Sequence, residues 1–209
     1  DYWGEPAETE TLVFRWATEG AARLLELQSG TVDHIVKLSP DDYDTVLNDE
    51  SLQFLPVPNP NIMYLAMTST FEPFGDVKVR QAVAQCVDRE RIIDNFYPDG
   101  SEAASHFTPC SIPNGCNGEE WYEFDPEAGK ALLAEAGYPD GFETTLKLPP
   151  PSYARRGGEI IAAQLREVGI NVEISNLEWA QWLEQVFRGY DYGLTIVSHT
   201  EPMDIGIYA

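Results

Sequence analysis

The stretch Glu72–Tyr97, EPFGDVKVRQAVAQCVDRERIIDNFY, decides how the rest of the chain is read. Asp76 offers a carboxylate to the unpaired amides of a helix start. Val79, Ala82, Val83, Cys86 and Val87 then recur at i, i+3, i+4, i+7 and i+8, which is one apolar helix face. Asp88-Arg89-Glu90-Arg91 interrupts that stripe and starts a second helix capped by Asp88, with Ile92, Ile93 and Phe96 to bury. The reading is two short helices meeting at an angle, the helical corner of a core.

Working upstream, Thr11–Ala17 and Val32–Val36 have the alternation of strands, on either side of a helix over 19–28 with Ala21, Leu24 and Leu25 inward and Gly30 as terminator. Ser39-Pro40-Asp41-Asp42 opens a helix that runs to about Asn48. Ser51–Val57 and Ile62–Ser69 read as strands separated by Pro58-Asn59-Pro60-Asn61. Downstream, no period persists over 99–121. Asp125-Pro126 then opens a helix ending near Ala136 with Gly137 behind it, and Phe142–Leu148 is a strand. After the stiff Pro149–Ser152 comes a helix over 153–168, closed by Gly169, with Ile161, Leu165 and Val168 inward. A strand over 170–175, a helix over 178–188 and a strand over 192–197 complete the chain; Trp179, Trp182, Leu183, Val186 and Phe187 are read as core. This alternation predicts an α/β fold with a mixed or largely parallel sheet.

Composition narrows function. The 209 residues carry 13 Lys plus Arg against 35 Asp plus Glu, a net charge of −22, which repels nucleic acid and anionic lipid. No apolar run approaches the roughly 20 residues of a membrane span. There is no nucleophile elbow, P-loop, paired-histidine metal motif or dinucleotide fingerprint, so neither catalysis nor a metal or other cofactor is expected. Cys86 lies on the apolar helix face and reads as a small buried hydrophobe. Cys110 and Cys116 flank SIPNG in a Pro- and Gly-rich loop; a disulfide is favoured over free thiols, and both over metal.

The wording of the central stretch goes further. Pro73, Phe74, Asp76, Val77, Val79, Arg80, Gln81, Ala82, Val83, Val87, Asp88, Arg89, Ile92 and Ile93 fall in an order that resembles the signature of periplasmic solute-binding proteins of ABC importers, dipeptide and oligopeptide class (solute-binding family 5). ARLLELQSGTVD at 22–33 and DPEAGKALLAEAGYPDGF at 125–142 are similar to that family's wording too. The resemblance implies one lobe of a type II periplasmic binding protein, a mixed sheet flanked by helices. It places residues 1–209 as a single, second lobe excised from a two-lobed clamp, since Asp1-Tyr2-Trp3-Gly4 resembles a phrase found well inside such proteins. It also implies a periplasmic or lipid-anchored extracellular receptor that captures a peptide or peptide-like solute and hands it to a membrane permease.

Two places qualify as ligand contacts under that resemblance. Ser152–Gly158, taken as a loop entering a helix, resembles the "N-x-x-R" loop of peptide binders, where Arg155 or Arg156 would grip the ligand carboxylate. Ser198–Asp204, taken as lying just after the last strand, resembles the phrase that carries an aspartate for the peptide amine. Aligning Glu201-Pro202 to it puts Ser198 where that acid would stand, with His199 as a ligand-facing donor and Glu201 or Asp204 as substitute acids. Loss of the acid costs about 1.5–3 kcal/mol for a charged hydrogen bond, and opens the alternatives of a modified peptide, sugar, opine or metal chelate. The rival readings are a small hydrolase or transferase with its site in the 99–121 excursion, and an interaction module on the same fold.

Overall fold

Asp76 and Asp88 start two helices as the sequence requires: the Asp76 carboxylate accepts from Lys78 N at 2.8 Å, and that of Asp88 from Arg91 N at 3.0 Å. The computed structural model describes residues 3–57, 60–97, 101–106, 108–115 and 122–200, the last without its side chain. They divide into two compact units, residues 1–54 and 55–209.

In the first unit, α1 spans Gly20–Gln28 and α2 Tyr43–Leu47, the latter entered through a 3-10 turn at Pro40–Asp42. Arg23 ties the unit together by donating to the carbonyls of Ala17, Thr18 and Lys37. Leu24 and Val46 are buried, whereas Ala21 and Leu25, expected inward, are exposed. The strands expected at 11–17, 32–36 and 51–57 are not formed. A strand needs a paired edge, and none is available to these segments among the described residues. Leu12, Phe14 and Trp16 are 72%, 79% and 98% exposed as a result.

The second unit is built on a four-stranded mixed sheet of β1 (Asn61–Met67), β2 (Phe142–Leu148), β3 (Ile170–Asn176) and β4 (Leu194–Thr200), in the order β1-β4-β2-β3. β1 runs antiparallel to β4, pairing Leu65 with Ile196; β2 is parallel to both β4 and β3. The last strand therefore sits inside the sheet, and its unbroken Leu-Thr-Ile-Val run is what burial on both faces demands.

One face carries α3 (Glu72–Gly75), α4 (Val77–Cys86), α5 (Arg89–Phe96), α6 (Pro126–Glu135) and α7 (Ser152–Glu167). Their apolar residues close over Leu146, Leu148, Leu194 and Ile196 in one core with Phe74, Val79, Val83, Cys86, Leu133, Ile161 and Leu165. The chain reversals before β2 and after α7 abut so closely that a Cβ on Gly141 would overlap the Gly169 carbonyl, and both glycines hold positive φ, +77° and +88°. Only glycine accepts both conditions.

The opposite face is covered by α8 (Trp179–Trp182), which widens into a π-helical segment at Leu183–Arg188. Leu177, Trp182, Val186 and Val197 form a smaller core there, with Tyr64 and Tyr192 against it. Of the five residues expected as core, Trp182 and Val186 are buried, but Trp179, Leu183 and Phe187 are 44%, 42% and 62% exposed. The helix meets the sheet with one edge of its apolar stripe, and the other edge turns outward. Burial of the indole is balanced by a polar chain: Trp182 Nε1 donates to Thr195 Oγ1 at 3.0 Å, which donates to the Lys147 carbonyl at 2.6 Å.

Two signature arginines serve the backbone. Arg80 donates to the carbonyls of Phe74 and Gly75, closing the end of α3. Arg89 donates to those of Ala104 and Tyr122, both at 2.6 Å, and so ties a residue inside the irregular excursion to the first described residue after it. Cys86 is buried and free; the bridge expected between Cys110 and Cys116 falls partly on Cys116, which lies outside the described residues. Among the described residues no helix is long and apolar enough to cross a membrane.

Candidate ligand-binding edge

Because β2, β3 and β4 are parallel, their carboxyl ends share one edge of the sheet, the place where open α/β sheets bind ligands. The start of β1 lies at the same edge, since Asn61 pairs with Thr200. Only three residues separate the end of β2 from the start of α7, so its first turn is at that edge too.

Ser152–Gly158, expected as a loop, forms the first turns of α7. Pro151 is pre-set for such an entry, and its carbonyl accepts from the amides of Ala154 and Arg155. Arg155 reaches the end of β3, donating from Nη2 to the Leu177 carbonyl at 3.3 Å and to Glu178 Oε1 at 3.2 Å. Its Nε is buried without a partner. The guanidinium is thus positioned by Glu178 and the Leu177 carbonyl, with the side chain 37% exposed. Arg156 is exposed; as the next residue on a helix it points away from Arg155 by about 100°, so the two do not form one clamp.

β4 runs further than the sequence reading allowed, so Ser198 and His199 lie in the strand rather than after it. Ser198 N donates to the hydroxyl of Tyr153 at 3.2 Å, which joins the end of β4 to the first turn of α7. Burial pushes the Tyr153 hydroxyl above its ordinary value, against the opposing pull of the Ser198 amide, and the group stays a neutral phenol. His199 Nδ1 lies 3.2 Å from the Tyr64 hydroxyl, with the rings edge to face at 5.5 Å. The structure therefore brings Arg155 and Ser198 together on the α7 side of one edge, with His199 at the same edge but on the opposite face, against Tyr64. Glu201 and Asp204 lie outside the described residues.

Tyr64, Tyr153 and Glu178 were not singled out in the sequence. Tyr64 sits in a plain strand pattern and Tyr153 at a helix start; the antiparallel pairing of β1 with β4 brings Tyr64 to His199, and the start of α7 at the same edge brings Tyr153 to Ser198. A cavity of about 480 Å³, lined by Phe71, Glu143, Thr145, Arg166 and Asn171 among others, opens where β2 and β3 begin, at the opposite end of the sheet. It contains none of the residues nominated from sequence.

Comparison with known proteins agrees with this architecture. Residues 1–202 match the family described as bacterial extracellular solute-binding proteins, family 5, middle. The chain is 32% identical over 194 residues to heme-binding protein A of Haemophilus influenzae and 31% identical over 193 residues to the dipeptide-binding protein of Escherichia coli, covering 90% of this chain and 36% of each relative. It thus spans about a third of those relatives' length. Among solved structures, the periplasmic binding protein DppA of Helicobacter pylori, in complex with the peptide STSA, superposes with a TM-score of 0.82 at 24% identity, over 96% of this chain and 39% of that one. The fold is that of the periplasmic binding proteins.

Proposed function

This chain belongs to the family 5 bacterial extracellular solute-binding proteins, and we propose that it is part of the receptor of an ABC importer, capturing a peptide or peptide-like solute between two lobes and delivering it to a membrane permease. The observation that carries the reading is the match over residues 1–202 to a family described as solute-binding proteins. In this reading residues 55–209 supply the sheet and its ligand edge, and the two lobes close by hinge motion. Residues 1–54 supply a strand-patterned segment, Leu12–Trp16, whose exposed side chains suit a sheet completed by the rest of the longer protein.

At the edge, Arg155 takes the anionic end of the solute, Ser198 offers a hydrogen bond beside it, and His199 offers one from the opposite face. Arg156, Glu201 and Asp204 flank these in sequence, and either acid supplies the partner for a ligand amine. The protein is placed in the periplasm, or outside the cell on a lipid anchor, where a Cys110–Cys116 bridge is chemically stable. The peptide-binding names among the relatives support a peptide class of ligand.

The test is titration calorimetry of the full-length protein with di- to tetrapeptides, for the parent and for Arg155→Ala. Loss of a charged hydrogen bond of about 1.5–3 kcal/mol weakens binding roughly 10- to 150-fold. Equal affinity of parent and variant would remove Arg155 from the site while leaving the receptor reading intact.

A further inference from the structure

We infer that this fold depends on salt: its compact state is completed by cations from the medium, because the chain does not carry enough of its own. With 35 carboxylates against 13 lysines and arginines, even complete internal pairing would leave a net charge of −22.

The structure shows that the few cations are also engaged elsewhere. Arg23, Arg80, Arg89 and Arg155 all donate to backbone carbonyls. Lys78, Lys130, Arg15 and Arg155 pair with Glu135, Glu127, Glu26 and Glu178 on largely or partly exposed side chains, where an ion pair contributes little, and the better-shielded Lys147 pairs with Asp191. The burden is uneven. Asp41, Asp42, Asp44, Asp49 and Glu50 crowd around the five-residue helix α2 with no lysine or arginine between them, in the unit whose buried hydrophobic residues, among those described, are Leu24 and Val46.

Self-repulsion of this kind opposes compaction. Its range is set by ionic strength, about 30 Å at 0.01 M salt, about 10 Å at 0.1 M and about 3 Å at 1 M. At low salt each carboxylate feels most of its neighbours on the same unit; near 1 M it feels almost none. Added salt therefore tightens the fold, and the residues around α2 gain most.

The experiment is thermal unfolding of the full-length protein, followed by circular dichroism, across sodium chloride from about 0.02 M to about 2 M. A parallel arm uses sucrose, which strengthens burial without screening charge. The inference predicts a midpoint that climbs by about 10 °C or more, with most of the rise complete below about 0.5 M. The variant Asp42→Asn/Asp44→Asn/Glu50→Gln starts higher at low salt and climbs less. A midpoint that is flat across the range overturns the inference. So does a climb that continues linearly to 2 M and is unchanged in the variant, which would be salting-out alone.

Discussion

Replacing Gly129 by alanine tests how α6 is seated on α4. Gly129 lies on α6 directly over Cys86, and a Cβ there would overlap the Cys86 sulfur and stand 3.1 Å from the Ala82 carbonyl oxygen. Cys86 is only 1% exposed, so its sulfur cannot swing aside into solvent. The helices must separate instead. Overpacking of this kind costs up to about 3 kcal/mol, and alanine returns about 1 kcal/mol of helix propensity over glycine, leaving a net loss of about 2 kcal/mol. Cys86→Ala alone removes one buried heavy atom and costs about 1 kcal/mol. If the two changes were independent the double variant would lose about 3 kcal/mol, but removing the sulfur also removes the overlap. The double variant keeps the alanine's gain of about 1 kcal/mol and should therefore fall close to the parent, a coupling of about 3 kcal/mol measured by urea unfolding in a double-mutant cycle. Additive losses, or a Gly129→Ala protein more stable than the parent, would refute the packing argument.

Arg89→Ala should release the excursion, raising hydrogen exchange around Ala104 and Tyr122 well before global unfolding and costing about 2–3 kcal/mol for a charged donor shared by two carbonyls; protection unchanged in the variant would show that something else holds these segments. Burial pushes the Cys86 thiol from 9.0 up to about 11. Between those values the unfolded chain holds fewer protons than the folded one, so stability is full below about pH 9 and falls towards pH 11, by at most about 1.4 kcal/mol per unit. Urea midpoints from pH 8 to pH 10.5 should show that decline in the parent and a smaller one in Cys86→Ala.

What could be read from sequence was whatever is fixed locally. α4, α5 and α6 each begin at an aspartate that accepts from its own first turn, and Gly137 and Gly169 take the positive φ of helix ends. Those boundaries held to within a residue or two. Strands were legible only where a partner exists. Thr11–Ala17 has better strand chemistry than much of β2, yet it is unpaired among the described residues because pairing is a property of distant chain. The extent of β4 was missed for the same reason, since Ser198 and His199 are drawn into the strand by Met63 and Ile62 across the ladder. The candidate edge was legible in part. Arg155 stood out by charge, whereas its orientation comes from Glu178, 23 residues away. Tyr153 carried no signal, because its contribution is a single acceptor offered to the Ser198 amide.

Whether the protein encloses a small solute, as proposed, is decided by mass spectrometry of what is released on denaturing full-length protein purified from its own host. The expected result is a stoichiometric peptide or peptide-like compound that rebinds the emptied protein with micromolar or tighter affinity. Protein that releases nothing, and that neither closes nor shifts its melting point with peptides, sugars, opines or metal chelates, would contradict the proposal.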